Sequence, residues 1–291
     1  MEKNETQSLV FVFMFMNNKK ITKKMIINVL IFSSILGIIA GIIEQFEQDI
    51  ERKKHPENIP YLNHIYEKFI KRPLDVVLAF WALVVFSPII FVVAILVHIN
   101  LGTPVFFIQK RPGKNEKLFK ILKFRTMNSK TDGNGNFLPD SIRLTRFGKL
   151  LRSTSLDELP ELINIIKGDM AIIGPRPQLV KDMVFMTYEQ RRRHLIRPGL
   201  SGLAQVRGRN AITWEEKLNL DLEYMKNITF WGDIKIIVQT IINVFKCKNI
   251  SQEGQATALD YGDYLLETGK IKNVDYTLKL EEAKKLLNAD K

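Results

Sequence analysis

Apolar residues gather in two long runs rather than spreading along the chain. The first covers residues 25–43, broken only by Asn28, Ser33, Ser34 and small residues. At roughly 1.5 Å per helical residue it just reaches across a bilayer core of about 30 Å. Lys19, Lys20, Lys23 and Lys24 precede it, and no small-residue cleavage site follows Ile43. It therefore reads as a membrane anchor rather than a signal peptide. Residues 44–60 are charged and polar, a linker or exposed helix.

The second run, residues 76–99, is also long enough to span. Ser87-Pro88 lies at its centre, where proline removes a backbone donor and crowds the preceding turn. Both flanks are basic: Lys68, Lys71 and Arg72 before it, Lys110, Arg111, Lys114 and Lys117 after it. The positive-inside rule places both flanks in the cytoplasm. A helix–break–helix that enters one leaflet and returns satisfies both facts. A proline-kinked transmembrane helix is the alternative, and the residues alone leave the two open.

Beyond this run the pattern shortens. Apolar and β-rich residues over 104–113 and 117–125 flank a turn at Pro112-Gly113-Lys114-Asn115, predicting a β-hairpin. Residues 128–142 form a polar loop. Leu159, Leu162, Ile163 and Ile166 have helical spacing within 157–167. Thr213 with Glu216 predicts a capping box that opens a helix over 214–226. Residues 231–247 predict a helix with a broad apolar face and a basic end. The stretch after Ser251 is polar, with a short amphipathic helix near 278–288. No internal repeat is present. Three regions result: an N-terminal extension (1–63), a central domain (64–250) and a polar C-terminal tail (251–291).

Charge sharpens this picture. The 291 residues include 43 Lys and Arg against 31 Asp and Glu, a formal net charge of +12. That balance favours an anionic partner: nucleic acid, anionic lipid or a phosphorylated substrate. The single cysteine, Cys247, excludes an internal disulfide, and the four histidines have no zinc-site spacing.

The chemistry concentrates in Arg152-Ser153-Thr154-Ser155-Leu156-Asp157-Glu158-Leu159-Pro160. Locally, Ser155 and Glu158 have the form of a capping box, with Asp157 a helix-dipole partner. The same geometry suits phosphate chemistry. A carboxylate can attack phosphorus, and its neighbour can hold Mg²⁺ against a diphosphate. Such a site needs cations, which Lys123, Arg125, Arg152, Arg176, Arg207 and Arg209 could supply. Gly174-Pro175-Arg176-Pro177 and the segments Arg197-Pro198-Gly199 and Gln205-Val206-Arg207-Gly208-Arg209-Asn210 are rigid or glycine-punctuated basic loops that suit phosphate, or ordinary surface turns. Arg191, Arg192 and Arg193 read as a solvated or membrane-facing patch.

Taken in order, nine segments resemble the monotopic polyprenyl-phosphate phosphoglycosyl transferases, the bacterial sugar transferases. They are Lys71-Arg72-Pro73-Leu74-Asp75, Ser87-Pro88, Pro104-Val105-Phe106-Phe107, Lys123-Phe124-Arg125-Thr126-Met127, Thr154 to Pro160, Asn164 to Met170, Gly174 to Pro177, Arg197 to Gly199 and Gly208 to Asn210. The resemblance covers residues 64–250. It implies an α+β fold: a mainly helical monotopic membrane protein with a re-entrant helix-break-helix at Ser87-Pro88 and a small β-hairpin. It implies transfer of a sugar 1-phosphate from a UDP-sugar to undecaprenyl phosphate, releasing UMP. This would be the first membrane step of capsule, exopolysaccharide, O-antigen or glycoprotein-glycan synthesis. Asp157 matches the family's nucleophile, which forms a covalent aspartyl phospho-sugar, and Glu158 its Mg²⁺ partner. Lys123, Arg125, Arg152, Arg176, Arg207, Arg209 and Asp221 are the expected substrate-binding set. Anionic membrane lipid is a further partner, nucleic acid is not, and a homodimer stays open. The expected location is the bacterial inner membrane, with the catalytic domain facing the cytoplasm.

Three features depart from the family pattern. The lysines before residue 25 point that end to the cytoplasm, and one crossing would then put the catalytic domain outside. Glu116 stands where the family's hairpin turn has a second glycine; little effect is expected. The tail beyond Ser251 has no assigned role. A tethered nucleic-acid binder or a catalytically silent membrane scaffold are the competing classes. The donor sugar is not readable, although Arg209-Asn210-Ala211-Ile212-Thr213-Trp214 resembles members that use N-acetylated or deoxy amino sugars.

Overall fold

A computed structural model describes residues 66–208, 212–245 and 259–289. The anchor expected over 25–43 and the linker over 44–60 lie outside these residues. A short π-helical turn, Tyr66–Ile70, leads into helix α1, Lys71–Leu101. Its 31 residues extend about 46 Å at ~1.5 Å each. Few of its apolar side chains are buried, and Val85, Phe91, Val92 and Ile99 are among those exposed.

The expected break at Ser87-Pro88 is absent, and the helix runs through the proline. The local chemistry explains this. Pro88 has no N–H for the Val84 carbonyl four residues earlier. The Ser87 hydroxyl donates to that carbonyl instead, at 2.7 Å. The Ser-Pro pair thus removes one ladder bond and replaces it.

Both ends of α1 are tied to the rest of the domain. At the start, Arg72 donates to the Ile165 and Ile166 carbonyls at 2.6 and 3.1 Å. Lys71 and Tyr66 reach the buried Asp233 carboxylate at 2.5 and 2.9 Å. At the far end, Gly102 stops the helix at a positive φ of 75°, which favours glycine. There the Arg125 guanidinium donates to the carbonyls of Leu101, Gly102 (2.6 Å) and Thr103 (3.0 Å). Val93 and Val97 pack beneath that end on Phe124 and Leu151.

Strands β1, Phe106–Pro112, and β2, Leu118–Phe124, form the expected antiparallel hairpin, with Phe106 opposite Phe124. The turn Lys114–Glu116 carries Asn115 and Glu116 at φ 53° and 60°. Glycine would adopt that backbone without cost. Glu116 accepts the strain and binds Arg191, Nε to Oε1 at 2.7 Å, which pins the hairpin tip. Helices α2, Asp140–Arg143, and α3, Arg146–Ser153, follow, the latter capped by Thr145. Helix α4, Glu161–Lys167, leads to β3, Ala171–Ile173, which pairs in parallel with β4, Gly199–Ser201. Between the two strands lie α5, Val180–Met183, and α6, Tyr188–Arg191. A Cβ on Gly199 would lie 2.1 Å from the Gly174 nitrogen, so only glycine allows the two backbones to meet there.

Helix α7, Leu203–Arg207, precedes α8, Trp214–Lys226, which opens on the expected Thr213–Glu216 capping box. Helix α9 is Phe230–Phe245, close to its predicted span. The polar tail folds further than its pattern suggests, into α10, Tyr261–Glu267, and α11, Asn273–Ala289. Tyr261 and Ala283 are buried in one core with Val180, Met183 and Val184 at α5 and with Trp214 and Leu218 of α8. Tyr264, Leu265, Ile271, Tyr276, Leu280 and Leu287 pack against it, and the charged residues between them hide that face in the segment's overall polarity.

Candidate functional site

Asp157 and Glu158 sit on a short 3₁₀ turn, Leu156–Glu158, between α3 and α4. Ser155 enters it at φ 57°, in the left-handed region, and its side chain makes no cap bond. The expected Ser155–Glu158 capping box therefore does not form. Glu158 points instead at two cations, Lys123 Nζ at 2.8 Å and Arg176 Nη2 at 2.7 Å. Lys123 comes from β2, and Arg176 from the rigid Gly174–Pro177 segment after β3. Three separate elements thus meet at one carboxylate.

A further acid lies beneath them that sequence reasoning missed. Glu161, the first residue of α4, is only 2% exposed. Its Oε1 lies 2.9 Å from Lys123 Nζ, an ion-pair contact without hydrogen-bond alignment. Lys123 is thus shared between two carboxylates 38 and 35 residues away in sequence. Residue type alone carried no signal for this, because an acid in the first turn of a helix is ordinary.

The electrostatics separate the acids. Burial raises the Asp157 carboxyl, and the neighbouring Glu158 charge adds to it; together they bring it to about 6 from an ordinary 3.8, against the pull of Lys123, Arg152 and Arg176. Burial acts on Glu158 as well, but Arg176 and Lys123 outweigh it and hold that carboxylate far below its usual range. Glu161, more deeply buried, rises to about 7 despite Lys123. Of the adjacent pair, Asp157 is thus the acid whose charge is less compensated, which suits a nucleophile. Glu158 stays ionised and fixed by its cations.

The remaining predicted residues divide. Arg152 lies close enough to Asp157 to stabilise its charge, and its Nε donates to Thr126 Oγ1 at 3.1 Å. Arg125 borders the same cleft, but its fork is engaged by the end of α1. Asp221 is 2% exposed and bound by Arg193, Nε to Oδ2 at 2.9 Å. Arg193 also donates to the Arg176 carbonyl at 2.6 Å, so this pair sits behind Arg176. Arg193 is accordingly buried, which corrects the solvated patch expected for residues 191–193. Arg191 pairs with Glu116 and Arg192 with Glu189. Arg207 faces solvent and pairs with Glu223 at 3.2 Å, away from the acids. Arg209 lies outside the described residues.

These groups border a cleft of about 2610 Å³. A pocket for one small ligand is usually about 300–1,000 Å³. Its lining has two chemical characters. Leu78, Ala82, Phe86 and Ile89 of α1 supply an apolar wall, while Lys217, Gln178 and Asp260 supply a polar one. That contrast suits one apolar and one water-soluble substrate. No group of three His, Cys, Asp or Glu side chains able to hold a metal occurs among the described residues. Asp157 and Glu158 nevertheless present hard carboxylate oxygens. Mg²⁺ is commonly held by one or two such groups together with substrate phosphates. The donor set fits that mode and does not fit an all-protein cage.

Among known proteins, the model of a family described as bacterial sugar transferase matches residues 66–247. An uncharacterized sugar transferase, EpsL, of Bacillus subtilis is 44% identical over 189 residues, 65% of this chain and 94% of its own. A UDP-N-acetylgalactosamine-undecaprenyl-phosphate N-acetylgalactosaminephosphotransferase of Aeromonas hydrophila is 39% identical over 185 residues, 60% of this chain and 43% of its own. A UDP-glucose:undecaprenyl-phosphate glucose-1-phosphate transferase of Caulobacter vibrioides is 35% identical over 194 residues, 62% of this chain and 71% of its own.

Proposed function

The chain belongs to the bacterial sugar transferase family, and we propose on that footing that it moves a sugar 1-phosphate from a UDP-sugar to undecaprenyl phosphate. The Asp157 carboxylate attacks the β-phosphorus of the donor. The bond from that phosphorus to the bridging oxygen breaks, and UMP leaves with the oxygen and its electron pair. The sugar phosphate is then held as an aspartyl acyl phosphate. An oxygen of undecaprenyl phosphate attacks the same phosphorus, frees the carboxylate and forms the lipid diphosphate sugar. Covalent capture separates the two bulky anions in time. The product is the starting lipid for a surface glycan.

One observation carries this reading: Asp157 is a buried carboxylate, raised to about 6, beside an acid locked by Lys123 and Arg176. Arg176 and Lys123 hold Glu158 in place, and with Arg152 they offset the charge of an arriving diphosphate. Mg²⁺, bound by Glu158 and the donor phosphates, would neutralise further phosphate charge. The donors named for the relatives differ in sugar, so the proposal stops at the UDP-sugar class.

The membrane reading is supported by α1. A helix about 46 Å long that crossed the bilayer would place its ends on opposite sides. Here Arg72 at one end and Arg125 at the other bind the same domain. A re-entrant path, in which α1 stays helical but bends at Ser87-Pro88 as helices do at proline, enters and leaves on one face and suits both ties. The exposed Trp231, Ile241 and Ile242 of α9 suit the interface. The domain would then face the cytoplasm at the inner membrane, where its excess positive charge meets anionic lipid.

The test is UMP release from UDP-sugars by purified protein, dependent on undecaprenyl phosphate and Mg²⁺. Asp157→Asn removes turnover and leaves folding nearly intact. Mass spectrometry of wild-type protein with donor alone, quenched to preserve acyl phosphates, finds the sugar phosphate on Asp157. Near-normal activity in Asp157→Asn ends this assignment, and binding of arbitrary DNA without turnover would favour the competing class.

A further inference from the structure

The segment from residue 259 to 289 lies wholly beyond the family match, which ends at residue 247. It is nonetheless seated against the cleft. The Trp214 indole donates to the Leu259 carbonyl at 3.0 Å. The Tyr261 N–H donates to Asp182 Oδ1 at 2.9 Å, and Asp260 pairs with Lys181. The Tyr261 and Trp214 rings lie 5.0 Å apart. Gly262 meets Phe185 so closely that an added Cβ would come within 2.4 Å of its ring. Five contacts therefore fix the start of α10, and they fix it beside the cleft. Leu259 and Asp260 border the same cleft as Asp157, Glu158 and Arg176.

We infer that this C-terminal segment forms part of the donor site, with Leu259 and Asp260 contacting the uncharged, hydrogen-bonding portion of the nucleotide sugar. This inference rests on the transferase reading above. The chemistry selects the portion. A carboxylate repels the diphosphate, which has Lys123, Arg152 and Arg176 to receive it. Sugar hydroxyls and the uracil N–H are donors that a carboxylate accepts, and Leu259 offers an apolar surface to a ring. The apolar wall from α1 suits the lipid, which leaves this polar wall to the donor. The grip extends to catalysis by position, because Asp182, bound by Tyr261, follows shortly after Arg176 on one connected segment.

The test compares wild type with Leu259→Ala, Leu259→Trp and Asp260→Asn on a panel of UDP-sugars, reading UMP release with undecaprenyl phosphate and Mg²⁺. Lys181→Met is the control: it removes the partner of Asp260 without altering either cleft residue. A ratio of kcat/KM between two donors is internal to each preparation and does not depend on how much protein is folded. The expected result is a change of about tenfold or more in that ratio for the Leu259 or Asp260 variants and little change for Lys181→Met. That outcome assigns the contact to the sugar. A loss common to all UDP-sugars, matched by a loss of affinity for UMP itself, assigns it to the uracil. Unchanged ratios with unchanged UMP affinity overturn the inference while leaving the transferase reading intact. An Asp260→Asn effect reproduced by Lys181→Met reduces Asp260 to a structural tie. Absence of turnover by wild type on every donor overturns the reading on which the inference rests.

Discussion

Replacing Arg125 by methionine separates two roles that look alike in sequence. As a phosphate ligand, Arg125 would govern donor affinity. The structure instead shows its guanidinium, only 8% exposed, donating to three carbonyls at the end of α1. Methionine keeps the length and apolar stem and removes every donor. A hydrogen bond from a charged group contributes about 1.5–3 kcal/mol. The three share one side chain and do not add fully, so the expected loss is about 3 kcal/mol. For a domain of this size each kcal/mol moves the melting temperature by about 2–4 °C, giving a fall of ~6–12 °C. Arg125→Lys, which retains one donor, falls between. Thermal unfolding in nanodiscs measures this, and the donor KM, taken at a temperature where both proteins are folded, should stay near wild type. The reasoning is refuted if Arg125→Met melts with wild type and raises the donor KM about tenfold.

Three further outcomes are expected. With Asp157 acting as the proposed nucleophile in its carboxylate form and raised to about 6, turnover falls about tenfold per pH unit below that point rather than below an ordinary 3.8; Glu158→Gln, which removes a charge that raises Asp157, moves this acid limb to lower pH in a pH–rate profile. Glu116→Gly melts above Glu116→Ala by an amount equivalent to about 1 kcal/mol, since both lose Arg191 but only glycine relieves the φ of 60°. Ser87→Ala strips the Val84 carbonyl of its donor and lowers stability in bilayers by about 1 kcal/mol, and adding Pro88→Ala, which restores a backbone N–H, recovers it in the same unfolding assay.

What the chain revealed in advance follows a physical divide. Asp157 and Glu158 were legible because they adjoin in sequence. The hairpin and the Thr213 cap were legible because a turn and a helix start are decided within a few residues. Glu161 was hidden because its meaning depends on Lys123, which approaches from another element. Arg193 was misread because three consecutive arginines resemble a solvated surface, and only folding brings Asp221 against the third. Arg125 shows the same limit differently: residue type announces a fork of donors but not whether carbonyls or phosphates will receive it. At Ser87-Pro88 the helix-breaking residue was recognised, whereas the neighbouring hydroxyl that mends the helix was not credited.

The double fastening of α1 has a consequence for how the protein senses its surroundings. A spanning segment must match the thickness of its bilayer and tilts or distorts when it does not. On the re-entrant path proposed above, an insert held at both ends by one folded body takes its depth from that body instead. Such an enzyme should work with equal ease in thin and thick lipid mixtures, keeping Asp157 at constant height above the hydrocarbon whatever acyl chains surround it.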